Sequence, residues 1–515
     1  MGSLPVFLAL AIHLAVPMVS ASVFVSLIKY SEGYLNYSRM VLTTARSGEL
    51  PSKAASSSDL TEDSMRMDWQ KLLSTIRLGR EKDGDQADGG PRSEYIRDRD
   101  RLVYSSAFRR LQGKTQVFPL SGNDYVRTRL THSIEVSCVG RSLGTLCGQF
   151  ISQQEPGSKL DAHGMGSIVA AACLAHDIGN PPFGHSGEEA IRSWFKDKEK
   201  GEKYLDDIDL HQRNDFLCFE GNAQGFRLIT RLQNTDNPGG LQLTYTVLGA
   251  SGKYPRPSWF PESGKKPGKI SEKKFGYCDD DAENFEKVAT KVGLIRKGGG
   301  AYCRHPLAFL MEAADDICYR IADLEDGHRL GRIQFEKARE LLWTMVFPEG
   351  QAGSDTYKNI DDDNDKIAYL RARAINNLVH DVVRVFKENY EAIMKGEFEE
   401  ELVKKCKFKL EFEAIKRISE DRIYTTPAVL QIEIAGFEIL GGLLGKIVPA
   451  LLKPEDRSEE QKKIVALVPK KFTQNKTTAY QRLLGATDYI SGMTDTFALS
   501  LFRQLHGIEL PGSSI

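Results

Sequence analysis

An all-α fold is what this sequence predicts. Two observations carry that expectation. Apolar residues recur at three- and four-residue spacing in segment after segment beyond residue 63, the mark of helices with one buried face. Alternating apolar and polar runs, the mark of half-buried strands, are scarce. Taken in order, RLVYSSAFRRL, IEVSCVGRSLGTLCGQFI, GSIVAAACLAHDIG and PLAFLMEAADDICYRIADLEDG predict the helices of a central region. AINNLVHDVVRVFKENYEAIM, GFEILGGLLGKIVPALL and TAYQRLLGATDYISGMTDTFALSLFRQL continue the pattern. GKTQVFPLS and LQLTYTVLG are the exceptions and read as a short hairpin or a loop. Gly, Pro and Lys cluster at 251–275, which reads as an exposed loop. The Asp-rich stretches 279–282 and 361–365 read as solvated connections. No internal repeat divides the chain. The expected organisation is an N-terminal extension (1–62), a helical core (63–400) and a C-terminal helical region packed on it (401–515).

A chain of 515 residues can bury a large core, and its formal net charge of −1 leaves no global electrostatic footprint for nucleic acid. The eight cysteines at 138, 147, 173, 218, 278, 303, 318 and 406 include no CxxC pair. That spacing argues against a disulfide framework or a thiolate zinc site and fits a reducing compartment. Residues Met1 to Ile28 carry no lysine, arginine or carboxylate, and Lys29 is the first basic residue. LPVFLALAIHLAVPMVSAS has the apolar length of a signal-peptide core but lacks its basic leader. Three readings stay open: a transit or targeting segment, an apolar anchor, or an upstream start with the natural opening at Met65 or Met67. The expected location is cytoplasmic, or organellar if the extension targets it, with no membrane association of the core.

Chemistry concentrates in LAHDIGNPPFGHSGEEAI. His176 and Asp177 end an apolar helix that Gly179 and Pro181–Pro182 terminate. An adjacent imidazole and carboxylate suit Mn, Fe, Co, Ni or Mg better than calcium. Two residues cannot close a metal site. His132, at the start of another helix, and the Asp315–Asp316 pair, inside an otherwise apolar helix, are the candidates to complete it; carboxylates there are costly to bury without a cation. Asp315, Tyr319 and Asp323 follow one another at i, i+4, i+8 and share a stripe, whereas Asp316 points about 100° away. Either aspartate could complete the site, and only Asp315 would bring Tyr319 and Asp323 into the same pocket. Ser186 and Glu189 fit a capping box, so a helix is expected to begin just after His185, leaving that histidine on the lip of the pocket.

The ordered set, together with FRRLQGKTQVFPL, YVRTRLTHSIEV, FEGNAQGFRL and DYISGMTD, resembles the HD superfamily of metal-dependent phosphohydrolases, and more closely its deoxyguanosine triphosphate triphosphohydrolases, over most of residues 67–505. The resemblance implies an HD-domain helical core with additional C-terminal helices. It implies one divalent ion per site (Mn, Mg, Co or Fe) on His132, His176, Asp177 and one aspartate of the 315–316 pair; because the family contacts the sugar with residues placed like Tyr319 and Asp323, Asp315 is the expected ligand and Asp316 the reserve. It assigns catalysis to His185, Glu188 and Arg129, and nucleotide contacts to Gln116, Asn222, Lys253, Tyr254, Tyr319 and Asp323. The implied reaction splits dGTP, and other dNTPs, into deoxynucleoside and inorganic triphosphate by attack of water on the α-phosphorus. A poor alkoxide leaving group explains the need for a proton donor, for which His185 is the candidate with Glu188 tuning it. Glu220 and the Tyr489–Asp495 string are read as structural. The implied assembly is a homo-oligomer such as a hexamer, with weak single-stranded DNA binding as a further trait. Two rival readings are another HD-type nucleotidase or phosphodiesterase, and a catalytically idle dNTP-binding regulator.

Overall fold

Ten helices position the site in the computed structural model, which describes residues 66–84, 92–117, 125–156, 161–259, 269–347 and 350–510. They are α1 (Glu94–Tyr104), α2 (Arg129–Gln154), α3 (Ala162–Ala175), α4 (Gly184–Lys196), α5 (Gly221–Arg227), α6 (Tyr245–Ser251), α7 (Pro306–Arg329), α8 (Asp363–Glu388), α9 (Pro427–Leu452) and α10 (Ala479–Ser491). Among the described residues the sheet content is one antiparallel hairpin, β1 (Arg296–Gly298) with β2 (Ala301–Tyr302). The extension 1–62 lies outside the described residues. All of the described residues belong to the unit Met65–Ile515.

Caps and burial explain the central layer. Thr128 and Thr131 form a reciprocal capping box at the start of α2, and the Asp161 carboxylate accepts two backbone N–H bonds at the start of α3. Nearly every residue of α3 from Met165 to Ala175 is buried, as expected for a helix that is apolar all round. It packs against α2 on one side and α1 on another, while α7 crosses both α2 and α3. Leu143, Val169 and Leu310, each fully enclosed, lie in this core, and each such side chain contributes roughly 1.5–3 kcal/mol by leaving water.

A second core forms around α4, α9 and α10, with Trp194, Leu443 and Ile490 among its members. Leu402, Phe412 and Ile423 belong to the first core, and the C-terminal residues join the second from Ile439 onward. By length and composition α9 could cross a bilayer, and half of its most apolar window is buried inside the fold. All eight thiols are free.

Two local expectations need correction. LQLTYTVLG is neither hairpin nor loop, because Thr244 caps α6 with its hydroxyl and Asp98 fixes that cap by accepting from the Thr244 N–H (2.8 Å) and hydroxyl (2.7 Å). Its strand character survives as one isolated bridge between Arg77 and Thr244, and Leu243, Tyr245, Val247 and Leu248 are all buried. The alternation therefore reflected burial on every side rather than a sheet. In GKTQVFPLS, Leu111–Gly113 is a helical turn and Thr115 bridges Thr128, while residues 118–121 lie outside the described residues.

Candidate active site

Three chain segments meet at the floor of a cleft of about 520 Å³. His132 comes from the first turn of α2, His176 caps the C-terminus of α3, and Asp315 sits mid-way along α7. One ligand-type atom from each lies within 4.8 Å of the other two. Asp315 Oδ1 is 3.2 Å from His132 Nε2 and 3.5 Å from His176 Nε2, and the two imidazoles meet edge-on with centroids 5.5 Å apart. His176 Nδ1 faces the carbonyl oxygen of Cys173 at 2.5 Å. A carbonyl only accepts, so Nδ1 carries a proton, and Nε2 faces the trio. That buried Nε2 atom has no hydrogen-bond partner in the protein. The donor set, two imidazole nitrogens and a carboxylate, fits a divalent ion, so the fold supplies a place for one.

Asp177 stands beside the trio, its Oδ1 at 3.6 Å from His176 Nε2. Its oxygens are already engaged: Arg129 Nη1 donates to Oδ2 at 2.8 Å and Asn180 Nδ2 to Oδ1 at 2.5 Å. Each oxygen keeps a second lone pair, so Oδ1 remains able to take a cation. Burial would raise the Asp177 carboxyl, but Arg129 and His176 outweigh it and hold it at about 2. Burial lowers His176, yet Asp177 and Asp315 push it up to about 9, so Nε2 carries a proton at neutral pH unless a cation displaces it and takes the lone pair. The carboxylates thus favour positive charge at the centre of the cluster.

Arg129, expected to meet phosphoryl oxygens, shares its charge with Asp177 and keeps its buried Nε unpaired. Gly184 makes room for it. A Cβ on that residue would sit 2.5 Å from Arg129 Nη2, and its φ of +60° is a conformation glycine adopts freely.

The His185 segment departs from the capping-box expectation. Helix α4 begins at Gly184, Phe183 precedes it in the left-handed region, and no side chain caps it. Glu189 pairs with Arg192 instead of capping (3.3 Å). His185 still reaches the lip, with 79% of its side chain exposed, and its Nδ1 lies 3.1 Å from Glu188 Oε2. Glu188 is buried and accepts from the Gly221 N–H at 2.7 Å. Burial pushes its carboxyl up, but His185 and Lys274 win and hold it at about 2. Glu220, the neighbouring carboxylate, is raised by burial and by Glu188; Lys274 (3.0 Å) and Asn222 (2.8 Å) satisfy it.

The remaining expected contacts divide. Gln116, Asn222, Lys253, Tyr254 and Tyr319 line the cleft. Lys253 Nζ is 3.5 Å from Asp315 Oδ2 and 3.6 Å from Glu312 Oε1. Arg304 aims it, pairing with Glu312 (2.7 Å) and donating to the Lys253 carbonyl (2.7 Å). Asp323 does not line the cleft. It is buried one turn too deep, burial raises its carboxyl to about 8, and Tyr424 donates to it at 2.6 Å. Tyr424, stacked on Tyr319 with centroids 6.0 Å apart, takes its place in the wall. The stripe argument held for direction but not for depth. Asp316 lines the cleft without joining the trio, and its buried Oδ2 has no partner.

Sequence reasoning missed Lys273, Lys274, Arg320 and the α9 residues Val429, Ile432 and Glu433, all of which line the cleft. The two lysines are adjacent within the loop read as merely exposed, and only their charge marked them. Behind the cleft, the Tyr489–Asp495 string read as structural supplies a clasp. Asp495, just after the α10 helix, accepts from the Phe183 N–H (3.0 Å), the Thr115 N–H (2.9 Å) and the Thr115 hydroxyl (2.6 Å). Lys114 donates to the Asn180 and Ser491 carbonyls, and burial lowers its pKa to about 7.

Two family models match the chain: the HD domain over residues 129–217 and the phosphohydrolase-associated domain over residues 402–504. A relative in Synechocystis sp., named deoxyguanosinetriphosphate triphosphohydrolase-like protein, is 42% identical over 452 residues, covering 86% of this chain and 100% of the relative. One of the same name in Pseudomonas aeruginosa is 39% identical over 453 residues with the same coverage. A deoxyguanosinetriphosphate triphosphohydrolase of Enterobacter sp. is 32% identical over 517 residues, covering 86% of this chain and 99% of the relative. The HD match opens at Arg129 and takes in His132, His176, Asp177, His185 and Glu188. With that much identity across nearly the full length of those relatives, the chain belongs to the deoxyguanosinetriphosphate triphosphohydrolase family of HD-domain phosphohydrolases.

Proposed function

We propose that this hydrolase cleaves deoxynucleoside triphosphates, dGTP by preference, into deoxynucleoside and inorganic triphosphate. One observation carries the reading. The trio His132, His176 and Asp315 shares a cleft with His185, which the buried Glu188 backs, and with Lys253, Lys273 and Lys274, a cation-binding floor beside cationic walls suited to a polyphosphate. His132, His176, Asp315 and Asp177 would hold a divalent ion such as Mn, Mg, Co or Fe, which would supply the positive charge that makes water a nucleophile at neutral pH.

The chain's own residues do the rest. Glu188 accepts from His185 Nδ1–H and fixes the ring, leaving Nε2 to hand a proton to the 5′-oxygen as it leaves phosphorus. Lys253, aimed by the Arg304–Glu312 pair, holds the phosphate tail as a point charge, and Asn222 and Tyr254 border it. Arg129 fixes Asp177 and presents its remaining N–H groups to the cleft. Gln116 and Tyr319 border the sugar. A homo-oligomeric assembly belongs to the same proposal and is checked by light scattering.

The test incubates the full-length chain with each dNTP and with GTP, in Mn or Mg and 18O-labelled water. Deoxynucleoside plus triphosphate carrying the label on one terminal phosphoryl group is the expected result. Nucleoside monophosphate plus pyrophosphate overturns the reaction proposed, and nucleotide bound but intact favours the regulator.

A further inference from the structure

A second cleft, of about 70 Å³, shares no lining residue with the first. Four arginines surround it: Arg77, Arg80, Arg97 and Arg101. Two of them are spoken for. Arg77 is buried and bonds Glu94 (Nε to Oε2, 2.7 Å), Asp98 and the Gln242 carbonyl (2.7 Å). Arg97 bonds Glu94 Oε1 at 2.9 Å. The other two are not matched in this way. Arg80 is exposed and has no ion pair among the described residues. Arg101, half-buried, reaches the Leu241 carbonyl at 3.4 Å and has no carboxylate partner among the described residues. Burial and then the nearby Arg77 and Arg80 charges push its guanidinium below the usual value. Arg97 and Arg101 stand at i, i+4 on α1, where like charges repel across one turn. Asp83 is the single lining carboxylate that no arginine engages among the described residues.

We propose that this cleft binds a phosphate-type oxyanion. Planar guanidinium forks match tetrahedral oxyanions in pairs of parallel N–H bonds, and a bound anion relieves the repulsion between Arg80, Arg97 and Arg101. Free inorganic phosphate, triphosphate and the phosphate tail of a nucleotide share that chemistry. The site is separate from the proposed catalytic cleft and stands whether or not that reading holds.

The test is calorimetric titration of the full-length K253A protein, in chelator and low salt, with inorganic phosphate, triphosphate and dATP. K253A weakens phosphate binding in the first cleft and leaves the second intact. A saturable component is expected to persist. R80A, a change at an exposed residue that leaves the fold alone, should weaken it about tenfold, as loss of one charge-assisted bond would. R80A/R101Q should abolish it. Equal affinity for phosphate and dATP assigns the site to the anion alone; tighter dATP binding assigns it to a nucleotide. Isotherms that R80A and R80A/R101Q leave unchanged, or no saturable component in K253A, overturn the proposal.

Discussion

The two ends of the active-site cleft are built on different principles. At the floor, His132, His176 and Asp315 project from α2, α3 and α7, three mutually packed helices of the first core. At the rim, Lys253 and Tyr254 follow the end of α6, and Lys273 and Lys274 follow the single helical turn Ile270–Glu272, all four outside long helices. Long helices fix donor atoms closely enough for a metal ion, which tolerates little misplacement. A phosphate tail needs charge within reach, and lysines on connecting chain provide that with freedom to adjust. The rim is steered only through a few tethers such as the Arg304–Glu312 pair.

Substitutions separate the two ends. Largest, H176A or D315N should cut turnover on the order of 10³-fold or more, because several kcal/mol of charge stabilisation is lost at the floor. Metal analysis of the purified variant should show the ion gone, and a chelator should do the same to the unsubstituted protein. Next, H185A should lower kcat by roughly 10²–10⁴-fold, the usual contribution of a positioned acid, while KM and bound metal stay close to the parent values. If H185A also loses metal, the lip and floor are not separable. At the rim, K253A should raise KM about tenfold and leave metal content unchanged.

The smallest effect concerns stability near the rim's support. Asp215, buried beside Tyr480 and the Asp279 N–H, is raised from 3.8 to about 7, chiefly by burial. A carboxyl raised on folding stabilises the fold while protonated, so that contribution is lost as pH climbs from near 4 through about 7. D215N, which cannot ionise, should flatten this slope, and its melting temperature should exceed the parent's by a few °C above pH 7. Scanning calorimetry at several pH values checks it.

Helix content and the metal floor were legible because both are periodic or strung on a tight motif: α3 runs straight into His176–Asp177, and the 3.6-residue repeat put Asp315 on a definite face. Depth was not legible. Asp323 shares that face yet lies behind Tyr424, a residue roughly a hundred positions downstream. Lys273 and Lys274 were illegible for the opposite reason, since a loop has no period to reveal which way a lysine points. The start of α4 was misjudged because backbone geometry at Phe183–Gly184, rather than Ser186, sets the first turn.

The Asp495 clasp has a practical corollary for anyone trimming the molecule. The carboxylate that pins the turn before His185 and the bridge residue Thr115 lies at residue 495, far beyond the HD-matching stretch that ends at 217. Cutting the chain back to its HD-matching stretch would therefore not isolate a minimal enzyme. It would leave the turn before His185 unfastened, so deletion series and C-terminal fusions should be laid out with residue 495 retained.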